Sequence, residues 1–301
     1  MYANIRGNKI YFDVEGLGLV PLNEKMVEKR VCFLVHGGPG FDHTCWKPTI
    51  SPLANYTQLV YFDHRGNGRS QRGPLKTYNL DNNVDDLEAL RDYLGVEQMI
   101  LIGWSYGGFV ALTYATRYPE RVSHLIALST SPCFRESRRR AQEIAAERAD
   151  PDQLRHMPAL WEGQVDSPDH MLEMYKDLTR LYTAWNKPGD PRLEEEPNLR
   201  ATLNQEPLNY AFGEMLENYD IRPELHKITA QTLVLAGRHD WITPLDQSET
   251  IAELIPNAHL EVFDYSGHFA ITEETEKFFG TIKSFLIETG GVPPVIAANV
   301  K

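Results

Sequence analysis

The stretch L-I-G-W-S-Y-G-G-F-V-A-L-T-Y-A, residues 101–115, decides how the chain is read. Met99 to Ile102 is an apolar run of the kind a buried strand uses, and Phe109 to Tyr114 begins a buried helix. Between them, Gly103-Trp104-Ser105-Tyr106-Gly107-Gly108 matches G-x-S-x-G with one more glycine, a pattern in which a serine sits on a sharp strand-to-helix turn. The glycines have a steric cause. A serine held in a strained turn brings the residues two before and two after it into contact, and Gly103 and Gly107 have no Cβ to collide. The turn lifts Ser105 Oγ above the sheet edge. The following helix N-terminus then favours negative charge beside it.

Composition limits what surrounds that turn. With 301 residues, 42% of them hydrophobic and 24% charged, the chain can bury one large α/β core carrying an insertion, or two smaller domains. The formal net charge of −12 argues against nucleic acid or an anionic membrane surface as partner, because both attract basic patches. Cys32, Cys45 and Cys133 have no metal-ligand spacing and cannot all pair, so free thiols in a reducing interior are expected. Met1 to Ile10 carries no apolar leader, and no window approaches the roughly 18 apolar residues of a spanning helix. These features describe a cytoplasmic enzyme acting on a small molecule or short peptide, with no metal or cofactor.

Alternating strands and helices flank the serine turn. Asn8 to Val14 reads as part of an edge hairpin, and Glu15 to Lys29 as a polar loop. Val31 to Val35, V-C-F-L-V, is a run suited to a parallel strand covered on both faces, and it empties into His36-Gly37-Gly38-Pro39-Gly40. The Gly38 N–H can point into the site from such a turn, as a second oxyanion donor beside Tyr106 N–H. Leu59 to Phe62 is the next strand and ends in the charged loop Asp63 to Ser70. There Asp63 reads as scaffold paired with an arginine or backbone donors, and His64 and His36 as scaffold too. Leu80 to Leu94 is an amphipathic helix closed by Gly95, and His124 to Ser129 another strand. The texture then changes. Phe134 to about Arg222 is helical, proline-punctuated and free of strand-like runs, while the core pattern resumes at Thr232 to Ala236. Residues 1–132 and 223–301 therefore read as one core domain, and 133–222 as a helical insertion over the active-site face.

Serine is a weak nucleophile and needs an adjacent base, itself oriented by a third group. An elbow serine draws these from later loops in the order acid, then histidine. After Ser105 the first acid ending an apolar strand is Asp240 in G-R-H-D, and the first histidine beyond the next strand is His268 in S-G-H. Ser105 is read as nucleophile, His268 as base and then acid, and Asp240 as its orienter. Trp104, Trp161, Tyr182 and Trp185 are the aromatic candidates for lining the substrate pocket.

H-G-G-P-G at 36–40, the elbow at 103–108, and G-R-H-D with S-G-H at 237–240 and 266–268 together resemble the α/β-hydrolase superfamily. H-G-G-P-G followed by D-x-R-G-x-G-x-S, here Asp63 to Ser70, resembles its proline iminopeptidase branch. The resemblance implies an eight-stranded, mostly parallel sheet with helices on both faces and a helical cap after the sixth strand. It also implies cleavage of an N-terminal proline or small apolar residue from short peptides. Two departures stand out. Tyr106 follows the serine where that branch typically has tryptophan, and Leu208 stands where a cap glutamate would hold the substrate's amino group. Glu214 and Glu217 are the nearest acids able to replace it, and Glu162 is another. Esterase or lactonase activity on the same scaffold, and a ligand receptor on a hydrolase fold, are the alternatives.

Overall fold

A computed structural model describes residues 1–184 and 197–297. Eight strands form one sheet in the order β1-β2-β6-β5-β7-β8-β9-β10. Their ranges are β1 Tyr2–Ile5, β2 Asn8–Glu15, β5 Val31–Val35, β6 Gln58–Phe62, β7 Met99–Trp104, β8 Val122–Leu128, β9 Gln231–Gly237 and β10 Ala258–Phe263. The hairpin β1-β2 joins β6 antiparallel, and every pair from β6 to β10 is parallel. The central strand β7 is buried at all six positions, which explains its unbroken apolar run.

The polar loop expected between Glu15 and Lys29 is instead a small second sheet, β3 Leu19–Leu22 against β4 Lys25–Glu28. Val20 pairs with Val27, and the turn between the strands is made by Asn23 at φ 53°. Asparagine tolerates that left-handed conformation, so Asn23 and Glu24 act as hairpin turn residues rather than loop filler.

Helix α1 (Leu80–Tyr93) is capped by Asn79, whose side chain accepts from Asn82 N at 2.8 Å, and it buries Val84, Leu87 and Leu90. Helix α2 (Tyr106–Arg117) leaves the serine turn and is buried over its first ten residues, because it runs against the sheet itself. Between β8 and β9 the described residues form helices and turns with no strand. They include α3 (Phe134–Arg148), Met157–Glu162, Pro168–Tyr182 and Gln205–Tyr210. Side chains from these segments face the carboxyl ends of the strands, where open α/β sheets hold their ligands.

Candidate active site

Ser105 occupies the turn between β7 and α2 with φ 56° and ψ −121°, a region non-glycine residues rarely adopt. The neighbouring glycines are obligatory. A Cβ on Gly103 would lie 2.4 Å from Gly107 O, and one on Gly107 would lie 2.1 Å from Val35 O. Ser105 N donates to Leu128 O at 3.0 Å and Thr130 Oγ1 donates to Ser105 O at 2.8 Å, so the strained residue is bolted to the end of β8. Two backbone donors remain free beside it. Neither Gly38 N–H nor Tyr106 N–H is spent on another described residue, and Gly38 adopts φ 52° at the end of β5. The turn carrying Gly38 rests on His36. Its Nδ1–H donates to Gly37 O at 2.9 Å, and its Nε2 accepts from His64 N at 3.1 Å. Burial holds the His36 ring below its usual pKa, with Asp63 opposing, which keeps it the neutral scaffold that this pairing needs.

His268 follows β10. Its Nδ1 lies 2.7 Å from Asp240 Oδ2, and both side chains are buried. Asp240 also accepts from Ile242 N at 3.0 Å, Thr243 N at 3.1 Å and Thr243 Oγ1 at 2.8 Å. These donors match an ionised carboxylate. They fix the histidine as the Nδ1–H tautomer and leave Nε2 as the acceptor. Ser105 and His268 line the same cavity, and no hydrogen bond joins Ser105 Oγ to the ring in this structure. Such contacts commonly tighten only when substrate is bound.

The loop bearing His268 is clamped to the helical layer. His268 N donates to Tyr182 O at 2.6 Å, and Trp104 Nε1 donates to His268 O at 3.2 Å. Glu273 bridges the same two parts, accepting from Ala184 N at 2.6 Å and from Gly267 N at 2.7 Å. Burial raises the Glu273 pKa to about 7, and Asp240 adds to the rise. Sequence reading passed over Glu273 and Thr243. The available signals were an acid five residues after His268 and a hydroxyl three after Asp240.

The cavity is small, about 100 Å³, and mainly apolar. Of the aromatic candidates, Trp104, Trp161 and Tyr182 line it, together with Tyr106, Phe41, Phe109, Phe212 and Leu208. Trp185 lies outside the described residues. Glu214 and Glu217 do not reach the cavity. Glu214 is exposed and paired with Lys76, while Glu217 is held by Arg135 at 3.1 Å and lies 3.6 Å from Arg138. Glu162 is exposed as well. Glu214 and Glu217 are thus paired with cations away from the cavity, and no carboxylate lines the cavity among the described residues.

Asp63 serves as scaffold, though not through an arginine side chain. It accepts from His43 N and His43 Nδ1 at 2.9 and 2.7 Å and from Arg69 N at 2.8 Å, whereas Arg65 pairs with Asp86. Cys32, Cys45 and Cys133 are buried and form no disulfide. No helix of the described residues is long and apolar enough to cross a membrane.

Known proteins agree with this architecture. Residues 31–275 match a family described as alpha/beta hydrolase fold. The chain is 30% identical over 280 residues to the proline iminopeptidase PfmaB of Pestalotiopsis fici, covering 89% of this chain and 98% of that one. It is 29% identical to a proline iminopeptidase of Saccharolobus solfataricus, covering 95% and 91%. Its fold is also that of an esterase from Exiguobacterium antarcticum, with a TM-score of 0.73 at 24% identity over 95% of this chain and 98% of that chain. A chain with this sheet and this serine turn, matched to the family over most of its length, belongs to the α/β-hydrolase fold family, and its curated relatives place it beside the proline iminopeptidases.

Proposed function

We propose that this chain is a serine hydrolase in which Ser105, His268 and Asp240 act as nucleophile, base and orienter, with residues 133–222 serving as a cap over the site. The observation that carries this reading is the shared cavity. Ser105 on its strained turn and a buried His268 held by Asp240 both line one small apolar pocket. In the proposed cycle Ser105 Oγ attacks a carbonyl carbon while His268 Nε2 takes the hydroxyl proton. The Gly38 and Tyr106 N–H groups receive the developing oxyanion, each worth on the order of 3 kcal/mol of barrier. The imidazolium then protonates the leaving group. Water, activated by the same ring, attacks the acyl-enzyme, and the acid product leaves with Ser105 restored. Asp240 stabilises the imidazolium in both halves.

The cavity supports a small acyl group whose scissile bond carries no free ammonium beside it, because no carboxylate of the described residues could hold one there. Ester or lactone cleavage is the activity this lining favours. The names of the relatives favour a second reading, iminopeptidase-like cleavage of an amide next to an N-terminal proline. Retained catalysis, rather than a receptor role, is supported by the unspent oxyanion donors and the ordered acid–base pair. Buried thiols outside any disulfide fit a reducing compartment, and the net charge of −12 fits a small substrate better than nucleic acid.

One panel separates these readings. The protein is labelled with a serine-directed phosphonate, then assayed on proline-arylamide, short neutral acyl esters and lactones. Labelling at Ser105 with strong ester turnover and no arylamide cleavage supports the first reading. Arylamide cleavage exceeding ester turnover replaces it with the second. No labelling at Ser105 removes both.

A further inference from the structure

The wall of the cavity contains one charged side chain besides the histidine among the described residues, Arg138. It enters from α3 next to Ser137, whose Oγ donates to Ile242 O at 2.9 Å and so pins that turn of helix against the segment following Asp240. The guanidinium carbon lies 5.7 Å from the centroid of the Trp161 ring. Trp161 is itself wedged against Phe212 and Trp241, with centroids 5.7 and 6.1 Å away. A planar cation stacked on an indole is held in place without losing the use of its edge.

That edge makes no hydrogen bond among the described residues, and its one ion pair is loose. Glu217 Oε2 lies 3.6 Å away, an ion pair too long to be a hydrogen bond, and the other Glu217 oxygen accepts from Arg135 Nε at 3.1 Å. No hydrogen bond of the described residues uses an Arg138 N–H, whereas Arg135 beside it makes two. Five donors at an otherwise apolar wall, with their nearest acid half-claimed elsewhere, form a receptor for an acceptor that the protein does not supply. A carboxylate matches the fork in shape and charge, and the mainly apolar lining around it strengthens the pair.

We infer that the natural substrate carries a carboxylate on the portion that fills the cavity, and that Arg138 is the side chain that selects it. The substrate class is then an ester or amide of a short dicarboxylic or carboxyl-bearing acyl unit. This rests on the serine hydrolase reading above and reverses the polarity that sequence resemblance suggested. The wall offers a cation to an anion, where the iminopeptidase pattern would offer acids to an ammonium. The specificity has a cost the site can bear. A wall built to hydrogen-bond one group discriminates against an analogue lacking it, because the half-buried guanidinium then loses water on that side without gaining an acceptor.

Two 4-nitrophenyl phosphonate esters of equal chain length test this, one ending in a carboxylate and the other in a methyl group. Each inactivates the enzyme by modifying Ser105 and releases one equivalent of 4-nitrophenol, so the readout needs no turnover. The quantity measured is the ratio of inactivation rate constants, carboxylate over methyl. In the wild type the ratio should exceed one, in Arg138→Gln it should fall by about 10-fold or more, and Arg138→Lys should keep part of it. Glu217→Gln is the second variant. It removes the competing acid from the surface, and the ratio should rise about 2-fold to 5-fold. A ratio below one in the wild type, or one unchanged in both Arg138→Gln and Glu217→Gln, overturns the inference and leaves the hydrolase reading standing. If neither phosphonate modifies Ser105, the hydrolase reading fails first and the substrate assignment falls with it.

Discussion

The two walls of the cavity are built by different rules. On the sheet side, the groups around Ser105 and His268 are fixed by a dense set of hydrogen bonds. Asp240 takes three donors besides His268, Ser105 is tied to β8 through both its N–H and its carbonyl, and His36 braces the turn of Gly38. On the helical side the lining is Phe212, Leu208, Leu160, Met174 and Leu178, with Arg138 as its one charge among the described residues. The first wall fixes atoms to within hydrogen-bond tolerance, as bond-making demands, and the second offers shape and a single charge, as discrimination demands. Changes on the sheet side should therefore strike kcat, and changes on the helical side should redistribute preference among substrates.

The largest effect is expected at Ser105, the proposed nucleophile. Ser105→Ala should lower kcat/KM by on the order of 10⁵-fold on any ester the wild type cleaves, with the fold retained. Steady-state assays beside thermal unfolding check this, and a loss under 10-fold would end the assignment of the nucleophile. Asp240→Asn comes next, with a fall on the order of 10³-fold concentrated in kcat, because Nδ1 would face an amide that cannot hold the imidazolium. A KM effect of that size with kcat intact would mean that Asp240 belongs to the binding wall. Leu208→Glu acts on the other wall and should change a ratio rather than a rate. It places a carboxylate where the resemblance puts one, so kcat/KM for proline-arylamide relative to a neutral ester should rise about 10-fold. An unchanged ratio would show that Leu208 does not set substrate polarity.

How much of this could be read from the chain divides along the same line. The turn of Ser105, the pairing of Asp240 with His268, the turn of Gly38 and the sheet are legible because each follows a local rule. A strained turn needs Gly103 and Gly107, a fully covered strand needs an apolar run such as Val31 to Val35, and chain order places acid before histidine. The helical wall follows no such rule. Glu217 looks like a substrate-binding acid in sequence and turns out to be held by Arg135, which lies 82 positions earlier. Glu214 is likewise bound to Lys76 across 138 positions. Arg138 stands in a run of three arginines, Arg138 to Arg140, and only helix phase separates it from its neighbours. Arg139 and Arg140 point outward to Glu143. The small sheet of β3 and β4 escaped notice for a related reason, since four-residue strands give too few positions for a period to register.

Glu273 is where the two walls meet, and it supplies the mildest and most pH-specific test of their separation. One oxygen accepts from Ala184 at the end of the helical layer, and the other accepts from Gly267 beside His268. Burial lifts its pKa from the ordinary 4.5 to about 7, Asp240 adds to the lift, and Arg148 is the cation that faces both acids. The folded chain therefore keeps a proton on Glu273 that the unfolded chain has lost above pH 4.5. Stability drawn from this group is complete below pH 4.5 and drains away as pH rises through 7, by on the order of 3 kcal/mol over the whole window. Glu273→Gln cannot titrate, so wild-type stability minus variant stability should shrink between pH 5 and pH 7 and level off above it in urea denaturation. At pH 7 its kcat/KM should fall only about 2-fold to 5-fold, since His268 keeps Asp240 and Tyr182 O as partners. A stability gap independent of pH would place the Glu273 proton elsewhere. A kcat loss rivalling that of Asp240→Asn would show that the helical layer holds His268 in place, so that the two walls act as one device.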